Sequence, residues 1–139
     1  MYIIFSFLVF IFGLIIGSFL NVIVYRLEHN KTLSGRSYCP NCKHMLIWLD
    51  LFPIFSFLFL QGQCRYCGKK ISWQYPLVEI LTGLIFLMIF NQSTQIFPIG
   101  TLAFYGIRLF FLFYVASVLI IIFFYDLKHY IIPDKVLFP

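Results

Sequence analysis

Residues Tyr2 to Tyr25 form an apolar run without a single charge. Crossing roughly 30 Å of hydrocarbon takes about 20 such residues as a helix. A cleaved signal peptide would carry a basic stretch ahead of a shorter apolar core, and a small-residue cleavage site after it. Here no Lys or Arg precedes the run and Arg26 follows it, which is the pattern of a retained membrane helix. The rest of the chain agrees. It has 139 residues, 62% hydrophobic and 11% charged, where an ordinary soluble domain is about 45–50% apolar and about 25% charged. A soluble fold this small has too much surface for its volume to hide that much apolar area. Lipid can cover it instead, so the bilayer is the first partner the sequence implies.

Two further spans follow. Pro76 to Ile96 carries one charge, Glu79, near its start, and Pro76 suits a first helical turn, where its missing N–H costs nothing. Thr101 to Tyr125 carries only Arg108, which is expected to act as a snorkelling anchor. Asn91–Gln95 reads as a polar turn between them. The fold class is therefore an all-α polytopic membrane protein, with about three transmembrane helices plus a cysteine-rich zinc-knuckle loop. The expected division is residues 1–25, the first transmembrane helix; 26–75, a cysteine-rich loop; 76–96, the second helix; 101–125, the third; and 126–139, a tail. Within the loop, residues 46–60 are apolar again but interrupted by Asp50 and Pro53, too short to span and better suited to the interface.

Net charge is +5, yet seven of the ten basic side chains (Arg26, Lys31, Arg36, Lys43, Arg65, Lys69, Lys70) lie in the 26–75 loop. That placement reads as topology rather than as a phosphate-tracking surface, so no nucleic-acid partner is expected. The tail adds Lys128 and Lys135, while the 91–100 turn and the stretch before the first span have none. The positive-inside rule then puts the loop and the tail in the cytoplasm and the amino terminus outside.

All four cysteines sit in that loop, as Cys39-Pro-Asn-Cys42 and Cys64-Arg-Tyr-Cys67 with 21 residues between the pairs. A CxxC turn lets two thiolates face one ion while backbone N–H groups point at the sulfurs, and two such turns complete a tetrahedral Cys₄ zinc site. The site would be structural, because sulfur would fill every position. Lys43, Arg65 and Lys69 would offset its negative charge. An iron–sulfur cluster, two disulfides or free thiols are the other readings of the same residues. A reducing cytosol disfavours the disulfides.

Only five acids exist: Glu28, Asp50, Glu79, Asp126 and Asp134. Asp126 directly follows the third apolar span, at the membrane edge, where an ionisable group is costly and marks a candidate functional position. An interfacial charge beside Lys128 is the competing reading, and the residues alone leave both open. Carboxylate catalysis usually needs a second acid to share a proton. The nearest in sequence is Asp134, beyond the helix-breaking Pro133. His29, His44 and His129 show no ligand spacing and read as solvated.

Three motifs resemble the type 4 prepilin peptidases, the aspartic peptidases of family A24. Gly17–Leu27 (GSFLNVIVYRL) is similar to that family's amino-terminal signature. Cys39–Gly83 carries, in order, CPxC, an Asp-Leu-x-Pro segment, GxCRxC, Ile-Ser and Tyr-Pro-Leu-Val-Glu. Asp126–Asp134 (DLKHYIIPD) is similar to the family's first aspartate motif. The resemblance implies an aspartic endopeptidase of the bacterial inner membrane that cuts the basic leader from prepilins or pseudopilins at its cytoplasmic edge. It further implies possible methylation of the new amino terminus with S-adenosylmethionine. By motif match Asp126 would be the first catalytic aspartate, with Asp134 the second choice. The family's second aspartate belongs to a Gly-x-Gly-Asp motif that these 139 residues lack. The chain thus reads as the amino-terminal part of such an enzyme, with 126–139 the start of a truncated peptidase domain and no complete active site. A non-catalytic membrane zinc-knuckle protein serving assembly or binding is the alternative function, and a small membrane redox protein a third.

Overall fold

The computed structural model describes residues 2–96 and 102–129. These are helical wherever they are regular, and form no strand beyond two isolated bridges. Helix α1 spans Tyr2–Glu28, α2 is the short Phe55–Phe59, α3 spans Gln74–Ile96 and α4 spans Leu102–His129. A 3₁₀ turn, Trp48–Leu51, precedes α2. Three of the helices are long and apolar enough to cross a membrane. At 1.5 Å per residue, the 27 residues of α1 reach about 40 Å, enough to span with a turn to spare.

The order of packing follows from burial. Of the most apolar window in each spanning helix, 44% is buried in α3 against 22% in α1 and 17% in α4, so α3 is the central element. Its closest partner is α1. Gly13 and Gly17 form a small-xxx-small stripe that lets the backbones touch: a β-carbon on Gly13 would lie 2.7 Å from the Gly83 Cα. Thr82, fully buried at this crossing, returns its hydroxyl to the Val78 carbonyl at 2.7 Å and leaves no polar group unpaired. Helix α4 joins through aromatic and branched side chains. Phe113 stacks on Phe86 with ring centroids 4.1 Å apart. At the loop end, Ile120, Ile121 and Phe124 complete one cluster with Leu20, Val24 and Val78.

The helix ends differ in part from the sequence reading: α1 runs past Tyr25 to Glu28, and α3 begins at Gln74, ahead of Pro76. The polar residues Asn91–Gln95 do not form a turn but continue α3 to Ile96. Their helical cost is a few tenths of a kcal/mol each, about what side-chain bonds at a helix end can offset, and the Asn91 carboxamide accepts from the Tyr2 hydroxyl at 2.9 Å. Likewise α4 carries on past Tyr125 to His129, so Asp126 belongs to its last turns rather than to a tail. Pro133, Asp134 and Lys135 lie outside the described residues.

Candidate metal centre and the loop-side cavity

The loop between α1 and α3 folds the two CxxC segments into copies of one turn. In the first, Cys39 N–H donates to the His44 carbonyl and Lys43 N–H to the Cys39 carbonyl, both at 2.9 Å. In the second, Cys64 N–H donates to the Lys69 carbonyl and Gly68 N–H to the Cys64 carbonyl, again at 2.9 Å. Each turn is closed by one antiparallel bridge, Tyr38 with Met45 and Gln63 with Lys70. The residue after each second cysteine takes positive φ, 59° at Lys43 and 66° at Gly68. Twenty-one intervening residues thus bring the two turns face to face.

The four Sγ atoms of Cys39, Cys42, Cys64 and Cys67 all lie within 4.8 Å of one another, and no disulfide joins them. Zinc bound at about 2.3 Å by four thiolates sets their separations at about 3.8 Å. The Cys39–Cys67 pair stands at 4.0 Å, so a slight contraction around an ion suffices and the donor set fits. Backbone dipoles already favour thiolates. The Lys69 N–H first, then the Asn41 carboxamide, bring Cys67 down to about 6. Burial works against the Cys39 thiolate, but the N–H groups of Cys42 and Asn41 outweigh it and lower its pKa. The His44 N–H favours a Cys42 thiolate, yet burial and the neighbouring sulfurs prevail and push it to about 11. Four crowded thiols cannot all ionise without a cation among them.

The cations expected around this cluster act less directly. Lys69 Nζ donates to Asn41 Oδ1 at 2.8 Å, and Asn41 Nδ2 donates in turn to Cys67 Sγ at 3.6 Å. Lys43 lies over the Tyr38 ring, 5.7 Å from its centroid. Arg65 turns away altogether and pairs through Nε with Asp50 Oδ1 at 2.7 Å. His44 is exposed, as its lack of ligand spacing suggests, with its ring 3.7 Å from that of Tyr66.

Beneath the loop, between the ends of α1 and α3, is a cavity of about 530 Å³. Its walls hold the polar side chains of Asn21, Arg26 and Glu79. Asn21, 5% exposed, donates to the Tyr75 carbonyl at 3.0 Å. Arg26 donates to the Leu33 and Gly35 carbonyls and so folds the loop's first residues back onto α1. Glu79, 7% exposed, accepts the Ile54 N–H at 2.7 Å. Ile54 is a β-branched residue at φ 60°, a conformation that needs such a restraint. Arg36 and Lys70 line the cavity with side chains that have no hydrogen-bond or ion-pair partner among the described residues.

In the sequence Glu79 is a lone charge near the start of the second span and Asp50 an interruption of an apolar segment. Their partners lie 25 and 15 residues away, so no local pattern signals them. The Gly13-x-x-x-Gly17 spacing was the one available sign that α3, and Glu79 with it, is drawn against α1. Asp126 is exposed in the last turns of α4, two residues beyond Phe124 and so at the same end of the bundle as the cavity. Among the described residues no carboxylate other than Glu28, Asp50 and Glu79 shares that end.

The family model for the bacterial peptidase A24 N-terminal domain matches residues 11–93, which hold α1, the loop and most of α3. A prepilin leader peptidase/N-methyltransferase of Myxococcus xanthus is 37% identical over 97% of this chain and 38% of its own length. One of Bacillus subtilis with the same name is 36% identical over 94% of this chain and 49% of its own length. One of Klebsiella pneumoniae is 41% identical over 57% of this chain and 38% of its own length. The chain thus spans half or less of the length of these relatives. No solved structure matches it.

Proposed function

Because the chain belongs to the bacterial peptidase A24 N-terminal domain family, we propose that it serves as the amino-terminal part of a membrane aspartic endopeptidase. That enzyme would remove the basic leader from a prepilin or pseudopilin at the cytoplasmic face of the inner membrane. The observation that carries the reading is the gathering of the Cys₄ cluster, the cavity and Asp126 at one end of three membrane-length helices. The excess of Lys and Arg in the loop supports placing that end in the cytoplasm, where a basic leader would arrive.

In this reading Asp126 is one of two aspartates that hold a shared proton between them, one acting as base toward water and the other as acid toward the leaving amine. The second would come from the Gly-x-Gly-Asp segment of the family, with Asp134 as the second choice. Zinc, when bound, supplies a cross-link and no Lewis-acid chemistry, since Cys39, Cys42, Cys64 and Cys67 would fill its coordination. The residues' own work is to orient those sulfurs and to hold the loop over the helix ends.

The relatives' name carries a second activity, for which S-adenosylmethionine would be the methyl donor in the full-length parent. A cavity of about 530 Å³ is of the size that holds such ligands. Glu79 would face the donor's cationic groups, and Arg36 and Lys70 its carboxylate. The test of the whole reading is leader cleavage by a full-length parent in membranes, with and without an intact Asp126. A parent that leaves a prepilin uncut would leave the non-catalytic zinc-knuckle alternative standing.

A further inference from the structure

The apolar segment 46–60 closes the cavity from the loop side, and Leu46, Asp50, Leu51, Ser56, Phe57 and Leu60 all line it. Two acids hold this segment from opposite directions. From below, Glu79 of α3 takes the Ile54 N–H at 2.7 Å. From above, the contacts converge on Asp50, whose side chain is only 4% exposed. One carboxylate oxygen accepts Arg65 Nε at 2.7 Å; the other accepts the Tyr66 hydroxyl at 3.3 Å and the Ile47 N–H at 3.2 Å.

Arg65 and Tyr66 are the two residues between Cys64 and Cys67. Their backbone is the turn that would wrap the metal, so their side-chain directions are set by whether that turn is closed. The Ile47 N–H belongs to the residue that opens the 3₁₀ turn Trp48–Leu51. A single carboxylate therefore bridges the second knuckle to the segment over the cavity. A buried carboxylate that loses a charged partner must move or draw in water, because leaving it uncompensated is costly. Opening the knuckle would remove Arg65 and Tyr66 together.

We propose that Asp50 is a positioning residue that couples metal at the Cys39–Cys42–Cys64–Cys67 cluster to the placement of the 47–54 segment over the cavity. The inference rests on the reading of that cluster as a metal site. Metal loading would then govern access to a space it does not touch. With the ion bound, Arg65 and Tyr66 hold Asp50 and the segment stays down on Glu79. With the ion removed, the upper restraint is lost, and of the two carboxylates only Glu79, at the Ile54 N–H, still holds the segment.

The chain's two tryptophans make this measurable. Trp48 lies in the turn itself, and Trp73 packs on Phe57 with ring centroids 4.8 Å apart. In a Trp73→Phe background Trp48 is the sole tryptophan. The experiment uses the full chain in lipid nanodiscs, counts zinc per chain, and follows the fluorescence anisotropy of Trp48 before and after chelation. We expect chelation to lower the Trp48 anisotropy by roughly a third as the turn loosens, and re-addition of zinc to restore it. In Asp50→Asn, and independently in Arg65→Gln, zinc should still bind one per chain while Trp48 no longer responds to it. Arg65→Gln approaches the joint from the knuckle side, so it carries the test should Asp50→Asn fail to fold. A protein that binds no zinc would sink the metal reading and the coupling with it. Zinc bound with no Trp48 response, or an equal response in both variants, would overturn the coupling alone.

Discussion

Gly17 of α1 meets Glu79 of α3 so closely that a β-carbon on the glycine would stand 2.7 Å from the Glu79 Cα. The same atom would lie 3.1 Å from the Thr82 side chain. Backbone contact of this kind is how membrane helices gain packing without a hydrophobic driving force, and it fixes where Glu79 points. Gly17→Ala should therefore force the helices apart and cost about 1–3 kcal/mol, as overpacking does. Gly106→Ala, where nothing lies within 4 Å, is the control. Thermal melting in detergent should fall for the first and hold or rise slightly for the second. Equal melting would remove the tight crossing as a source of stability.

Glu79 itself offers a sharper comparison. Its carboxylate accepts the Ile54 N–H at 2.7 Å. Glu79→Gln keeps a carbonyl oxygen for the Ile54 N–H and should melt near the parent. Glu79→Leu leaves that buried donor unpaired, at a cost of about 1–3 kcal/mol. The difference between the two variants, read by melting and by proteolysis within 46–60, measures the restraint. Two variants of equal stability would show that Ile54 holds its conformation without help.

The spans were legible because lipid selects for uninterrupted apolar length, and α1 needs nothing more to be read. The cysteine cluster was legible because CxxC is a local spacing whose chemistry is set by two sulfurs three residues apart. The helix ends were not. Asn91–Gln95 looks like a turn by composition, but α3 runs through it to Ile96. The cavity was least legible. Asp50 reads as an interruption and Glu79 as a lone charge near a span's start, and only the folding of residues 46–60 over the helix ends gives each its partner.

The thiols should reveal the metal. One zinc per chain is expected, with Cys39, Cys42, Cys64 and Cys67 shielded from alkylation. Any single Cys→Ser change should make the 36–75 loop protease-sensitive while leaving the protein in the membrane. Chelated protein should then show two exposed cysteines of opposite character. Cys67, held down to about 6, is thiolate above that pH, whereas Cys42, pushed to about 11, stays protonated. Because the thiolate is the nucleophile, iodoacetamide near neutral pH should modify Cys67 first and Cys42 last. Lowering the pH below about 6 should slow Cys67 as it protonates. Four equally fast thiols in protein never exposed to chelator would count against a metal site.

Topology follows from charge. A reporter active only in the cytosol should be on when fused after Lys70 or after Lys135, and off when fused within residues 97–101 between α3 and α4. By the positive-inside rule the Lys and Arg excess in the 26–75 loop would set the orientation of all three spans. The opposite pattern would place the cysteines in an oxidising compartment and reopen the disulfide reading.

In the proposed function, catalysis would turn on what stands beside Asp126. It lies in the last turns of α4, exposed, at the cavity end of the bundle. An aspartate that activates water needs a second carboxylate within a few ångströms to share its proton. Glu79 is committed to the Ile54 N–H and Asp50 to Arg65, so neither is free for that role. The family's Gly-x-Gly-Asp segment is the expected source. A parent chain carrying that segment should cleave a prepilin leader in membranes, and Asp126→Asn should lower the rate by roughly 10²–10⁴-fold or more. The Asn side chain keeps the size and most hydrogen bonds of Asp but cannot hold the shared proton, so folding and zinc content should not change. Glu79→Gln should do far less to cleavage, because its carbonyl oxygen still restrains Ile54. The 139 residues expressed alone should leave the leader uncut. Cleavage by them alone would mean that the second acid is already present, with Asp134 the first to replace by Asn.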